Sequence, residues 1–283
     1  MLNIIRADLY RIFKNKGFYI TIILLLGFLI IQTATSNTFG LMGNSNMTST
    51  IEPSTLDDGT IVYFANYEPL PQYMGSTAPF QMMGNTDILL YFLLPFIIYI
   101  AAADFSTNTV KNILSNGMPR IKYYFSKLIL SFIFCFFILF INIVVPIITA
   151  TILRGFGGTF DINFILRLLR PFSAQLFMCF AVSCVGLFFV FATKKTAAVN
   201  VTYIAFCILP IMIMSFFIMA NDKFEFLYQY DIVMNLKMLA GVKVPGFNGA
   251  ESTNIIRAFI IGGIYMLASI IGGIAIFKKS EIK

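Results

Sequence analysis

The sequence predicts an all-α polytopic membrane protein: six transmembrane helices, an N-terminal interfacial helix, and extracytoplasmic helices and loops between spans. Three observations predict it. The 283 residues have a mean hydropathy of +0.84 and only 12% charged side chains, about half the roughly 25% usual in a soluble domain. The apolar residues gather into six blocks, 17–33, 87–103, 128–152, 171–192, 197–219 and 255–277, each close to the roughly 20 helical residues that cross a hydrocarbon core. Charge inside the blocks is confined to their ends, at Asp87 and Arg257, and none lies at depth. Backbone groups in lipid must be satisfied within their own segment, so each block reads as a helix, and Pro95, Pro146 and Pro210 read as tolerated kinks. The whole chain, 1–283, is one transmembrane domain.

Orientation follows from the basic residues. With the N-terminus inside, 13 of the 20 Lys and Arg fall in cytoplasmic segments: 1–16, 104–127, the turn 193–196 and the tail 278–283. The segment 34–86 holds none, yet carries Glu52, Asp57, Asp58 and Glu68. Both termini are therefore expected in the cytoplasm, with 34–86, 153–170 and 220–254 outside. The net charge of +7 is absorbed by this bias and does not point to nucleic acid. Thr33, Ala34 and Thr35 could mimic a signal-peptidase site, but the first block exceeds an ordinary signal core and is expected to stay.

The N-terminal sixteen residues place Leu2, Ile5, Leu9, Ile12 and Phe13 at helical spacing, with Asn3, Arg6, Tyr10 and Lys14 on another face. This predicts an interfacial helix lying on membrane lipid before the chain turns in at Gly17. A plain basic segment that only sets topology is the alternative. Outside, 34–86 is too long for a simple connector and has a β-like patch at 60–64. Residues 161–170 read as a short amphipathic helix ended by Pro171. A further helix is expected over 222–240, with Asp222 as N-cap and Gly241 as its stop. Its Phe224, Phe226, Leu227, Tyr228 and Tyr230 suit a seat against the membrane or the spans.

Several chemistries are excluded. The chain has no histidine, which removes zincin motifs and Ser-His-Asp triads. Cys135, Cys179, Cys184 and Cys207 all fall inside blocks and read as small buried hydrophobes. No GxxxxGK[ST] loop occurs, so ATP hydrolysis by that route is not expected on this chain. Six spans with no engine and no buried coupling carboxylate suggest a transport subunit driven from outside the chain, not an enzyme. A self-contained channel or secondary carrier is the rival, and an internal repeat would favour it; none is found. In span six, Ala258 with Gly262, Ala268 with Gly272, and Ser269 with Gly273 permit close helix packing, expected within the subunit.

The segment 104–127 carries the most information. A short helix is expected over 106–115, stopped by Asn116, Gly117 and Pro119, with a second helical start at Arg120. Such a corner would give a partner a rigid handle on two spans; an ordinary basic loop is the alternative.

This stretch resembles the first cytoplasmic loop of ABC-2-type exporter permeases. That pattern runs from an acidic residue and an aromatic through Gly-Thr, a basic residue, an apolar pair and a turn, to Arg, Tyr and Lys. Asp104, Phe105, Thr109, Lys111, Ile113, Leu114, Arg120, Tyr123 and Lys127 fit it, with Asn108 where the family usually has Gly and Asp104 where it often has Glu. The run 8–16 is similar to the family's elbow helix. The resemblance implies two permease subunits, identical or different, paired with a dimer of separate ATPase subunits in the plasma membrane. ATP and Mg would sit on the partner, and no cofactor on this chain. The nine residues and the elbow would dock the ATPase, and 222–240 would cap the outer end of the pathway. A large loop after span one is similar to permeases that export or remove antimicrobial peptides and other amphiphiles.

Overall fold

A computed structural model describes residues 2–43, 49–55, 61–67, 74–239 and 251–279, with the side chains of 2–3, 37–43, both strands, 222 and 251–252 left aside. The chain is an all-α polytopic membrane protein. Six helices are long and apolar enough to cross a bilayer: span 1, Lys16–Gly43; span 2, Thr86–Ser106; span 3, Arg120–Arg154; span 4, Ile162–Thr193; span 5, Thr196–Ala220; span 6, Glu251–Lys279. An N-terminal helix, Leu2–Lys14, precedes them. Leu2 and Lys279 mark one end of the bundle, called here the terminal end; the other is the far end.

Spans 2, 3 and 4 form the centre. In their most apolar stretches 56%, 50% and 61% of residues are buried, against 28%, 11% and 22% for spans 1, 5 and 6, which therefore flank them. Aromatic rings bind the layers: Phe18 of span 1 packs edge-on to Phe96 of span 2 and Phe134 of span 3. Nearer the terminal end Phe191 of span 4 meets Tyr124 and Phe277. Outward faces such as Val201, Met212, Phe216 and Met219 of span 5 are apolar and exposed; an apolar surface of this extent is stable in lipid, not in water.

Span 6 lies mainly along span 4, and its small residues do what the sequence suggests. A Cβ added at Gly262 would stand 2.7 Å from the Met178 sulfur, and one at Gly272 3.0 Å from the Phe188 ring. At Gly273 the added carbon would overlap Tyr124 of span 3. The packing is thus within the subunit. Gly273→Val is expected to force spans 3 and 6 apart and destabilise the fold by about 1–3 kcal/mol, read as a lower melting temperature in detergent.

Several expected boundaries move. Span 1 continues past 33 to Gly43, since nothing in Gln32 to Gly43 breaks a helix that has left the apolar layer. Its entry turn centres on Asn15, whose side chain accepts from the Gly17 N–H at 2.9 Å, so Gly17 is not itself the corner. Span 3 begins at the helical start expected at Arg120, eight residues before its apolar block, and carries Lys122 and Lys127 into the helix. The amphipathic helix at 161–170 does not end at Pro171: it is the first part of span 4. A proline removes one N–H bond, and the freed carbonyl belongs to Arg167, exposed at the far end.

The segment 34–86 is not a plain loop. Beyond the end of span 1 it holds an antiparallel hairpin, Ser49–Thr55 with Ile61–Tyr67, and a helix, Ala78–Met83. The β-like patch at 60–64 falls on the second strand, apart from Thr60, which lies outside the described residues. The helix expected over 222–240 is two pieces: a 3-10 turn, Asp222–Tyr230, and an α-helix, Ile232–Leu239. Asn221, not Asp222, caps the first, taking the Lys223 N–H at 3.0 Å. Asp231 caps the second through the Met234 N–H at 2.8 Å. Burial raises the Asp231 carboxyl above its ordinary range, against the pull of the Met234 and Val233 amides and of Lys237. Gly241, the expected stop, lies outside the described residues. Lys237 pairs with Asp87 at 3.0 Å, fastening this far-end helix to the start of span 2.

Candidate functional site

At the terminal end the N-terminal helix packs on spans 2 and 3 through Ile12, fully buried, with Ile5 and Leu9 beside it. Asp8 sits on the same stripe, one turn from Ile5 and from Ile12, and is 5% exposed. A carboxylate on the buried face of a helix needs a cation. It has two: Lys127 of span 3 at 2.6 Å, and Arg11 on its own helix at 3.2 Å. Burial holds the Asp8 carboxyl above its usual range, and Lys127 opposes the shift.

Asp104, at the end of span 2, completes the set. Its carboxylate takes the Lys127 ammonium at 2.6 Å, the Tyr123 hydroxyl at 2.6 Å, and the Arg11 guanidinium. Asp104, Tyr123 and Lys127 are fully buried. Two acids thus face two bases in one cluster, closed around Lys127 and Asp104 and open on the Arg11 side, and the two carboxylates share the Lys127 proton donors. The cluster lies at the terminal end, outside the six apolar blocks, and its Asp8, Asp104 and Lys127 charges are buried in protein. Charge-assisted bonds of this kind are short and strong, and the cluster ties together the N-terminal helix, span 2 and span 3.

A second tie lies beside it. Arg120 donates to the carbonyls of Phe277 and Lys278 at 2.8 and 2.7 Å, the last turn of span 6, where a cation also meets the negative end of the helix dipole. Phe105 packs between Phe191 of span 4 and Phe277 of span 6.

The corner between spans 2 and 3 is built on this base. Span 2 ends at Ser106, and Asn108 takes a left-handed backbone with φ of 56°. Glycine and asparagine enter that region most readily, which accounts for asparagine at this position. A short helix, Thr109–Ser115, follows, so the expected helix over 106–115 is interrupted at 107–108. Val110 is buried, and Ile113 and Leu114 pack against the core. Ser106, Asn108, Lys111, Asn112, Ser115 and Lys122 are exposed.

The nine residues expected to contact a partner therefore divide. Asp104, Tyr123 and Lys127 are buried and cannot form a docking surface: their charges and hydroxyl are consumed by one another and by the N-terminal helix. Arg120 and Phe105 are turned onto span 6 and span 4, and Ile113 and Leu114 hold the short helix down. Thr109 opens the short helix, its hydroxyl 2.7 Å from that of Thr107. Lys111 alone of the nine is exposed. The N-terminal helix uses its apolar stripe against the bundle, which differs from a stripe laid on lipid, while Tyr10 and Phe13 stay exposed. Asp8 and Arg11 are the members that sequence reasoning missed, although Asp8 on an otherwise apolar stripe was a signal.

The four cysteines are buried and unbridged; Cys135 sits 3.0 Å from the Ser183 hydroxyl. Among the described residues no group of acidic and cysteine side chains is arranged to hold a metal. The geometry is that of a brace in a polytopic membrane protein. No family model matches the chain, and no curated protein matches it either.

Proposed function

We propose that this chain is the membrane subunit of an ATP-driven exporter of the ABC-2 type, moving a peptide or other amphiphile out of the cell or out of the membrane. One observation carries the reading: the corner between spans 2 and 3 presents an exposed polar surface while its underside is locked to the N-terminal helix and to spans 2, 3, 4 and 6. A force applied to Lys111, Asn112 and Ser115 would thus reach most of the bundle at once. The positive-inside bias supports a cytoplasmic position for this end and both termini, where an ATPase dimer would dock. A second permease subunit, identical or different, would complete the pathway. ATP and Mg belong to the partner.

The buried acid–base cluster favours one rival, a proton-coupled carrier, since intramembrane carboxylates often relay protons. Its carboxylates, however, are matched by two cations and closed off at one end of the bundle, which suits a strut better than a relay. The two readings separate on purification from native membranes in mild detergent. The exporter reading expects a soluble ATPase at near-equal ratio; recovery of the chain alone, still able to dissipate a proton gradient in liposomes, supports the carrier.

A further inference from the structure

Span 2 is not a uniform helix. One turn after Pro95 the segment Ile98–Ala102 widens into a π-helix, and the Ala103 N–H reaches back five residues to the Ile98 carbonyl. Such a turn holds one residue more than an α-turn and is a recurrent place of functional flexing. A side chain from another element attends to its backbone. Arg11 of the N-terminal helix donates to the Tyr99 carbonyl at 3.3 Å while its other nitrogen bonds Asp104. Tyr99 is held from a second side too, since a Cβ at Gly17 would stand 2.5 Å from its hydroxyl.

We propose that Ile98–Ala102 is the hinge of span 2 and that Arg11 is its latch. The planar guanidinium spans the π-turn, one arm on a carbonyl inside it and one on the carboxylate just beyond it, and so holds the extra residue in place. If the N-terminal helix moves, both bonds are lost together. The turn can then close to α geometry, which rotates everything beyond it by about 100° and advances it by about 1.5 Å. Asp104 would leave Lys127, and the corner at 107–119 would turn with it. A small displacement of the N-terminal helix is thereby converted into rotation of the span's end. The hinge is a property of this chain alone and does not depend on what drives or crosses it.

The test is amide hydrogen exchange on the chain in lipid nanodiscs, comparing wild type with Arg11→Lys. Lysine keeps the two-against-two charge balance, so the cluster stays neutral and folded, but its compact ammonium lacks the rigid planar fork that fixes the Tyr99 carbonyl and the Asp104 carboxylate at one spacing. Exchange over 99–104 is expected to rise about tenfold, with amides at 123–135 unchanged. Unaltered exchange over 99–104 would overturn the latch. An equal rise in both segments would overturn it as well, because Arg11 would then stabilise the bundle as a whole.

Discussion

Lys127→Met is expected to destabilise the protein by about 3–5 kcal/mol, the cost of breaking a buried pair and leaving its partner uncompensated. Lys127 is fully buried between Asp8 and Asp104, so its loss leaves two carboxylates facing Arg11 alone. Methionine fills the lysine's volume and adds no steric fault. The check is a denaturation midpoint in detergent or nanodiscs, set against a double variant that also carries Asp8→Asn. With both changes one acid faces one base again, and much of the loss should return. A double variant no better than Lys127→Met would mean that the lysine acts through packing rather than charge.

Lys111→Glu is expected to leave folding and stability unchanged and to lower transport coupling about tenfold, the scale of a reversed charge at the rim of an interface. Lys111 is exposed on the short helix Thr109–Ser115, whose other face is fixed by Val110, Ile113 and Leu114. Its charge has no structural work to do there. ATPase activity of the assembled complex, compared with and without the transported amphiphile, reports the change. The same measurement on Asp104→Asn would mix coupling with stability, since that carboxylate is an internal strut and not a contact surface.

The six spans were legible because apolar length is a composition signal that survives any tertiary arrangement. Their ends were less so. Span 1 runs on through Gln32 to Gly43 because a helix does not stop where hydropathy falls, and Pro171 did not end a helix because one missing N–H is cheap where water replaces it. The π-turn at Ile98–Ala102 left no mark in the residues beyond the nearby Pro95. The cluster was half visible. Asp8 among Ile5, Leu9 and Ile12 required a cation, but no periodicity says that it is Lys127, 119 residues away. Asp104 and Lys127 were noticed as loop residues, and burial gives them a different role from the one that exposure would have allowed.

The proposed function requires that these spans be moved by an ATPase on another chain. Reconstitution in liposomes tests it most directly, with this chain alone, then with the copurified ATPase and ATP, following a fluorescent amphipathic peptide across the bilayer. No ATP hydrolysis and no peptide movement are expected with the chain alone, and ATP-dependent movement is expected when both are present. Peptide movement by the chain alone, with or without an ion gradient, would contradict the proposed function.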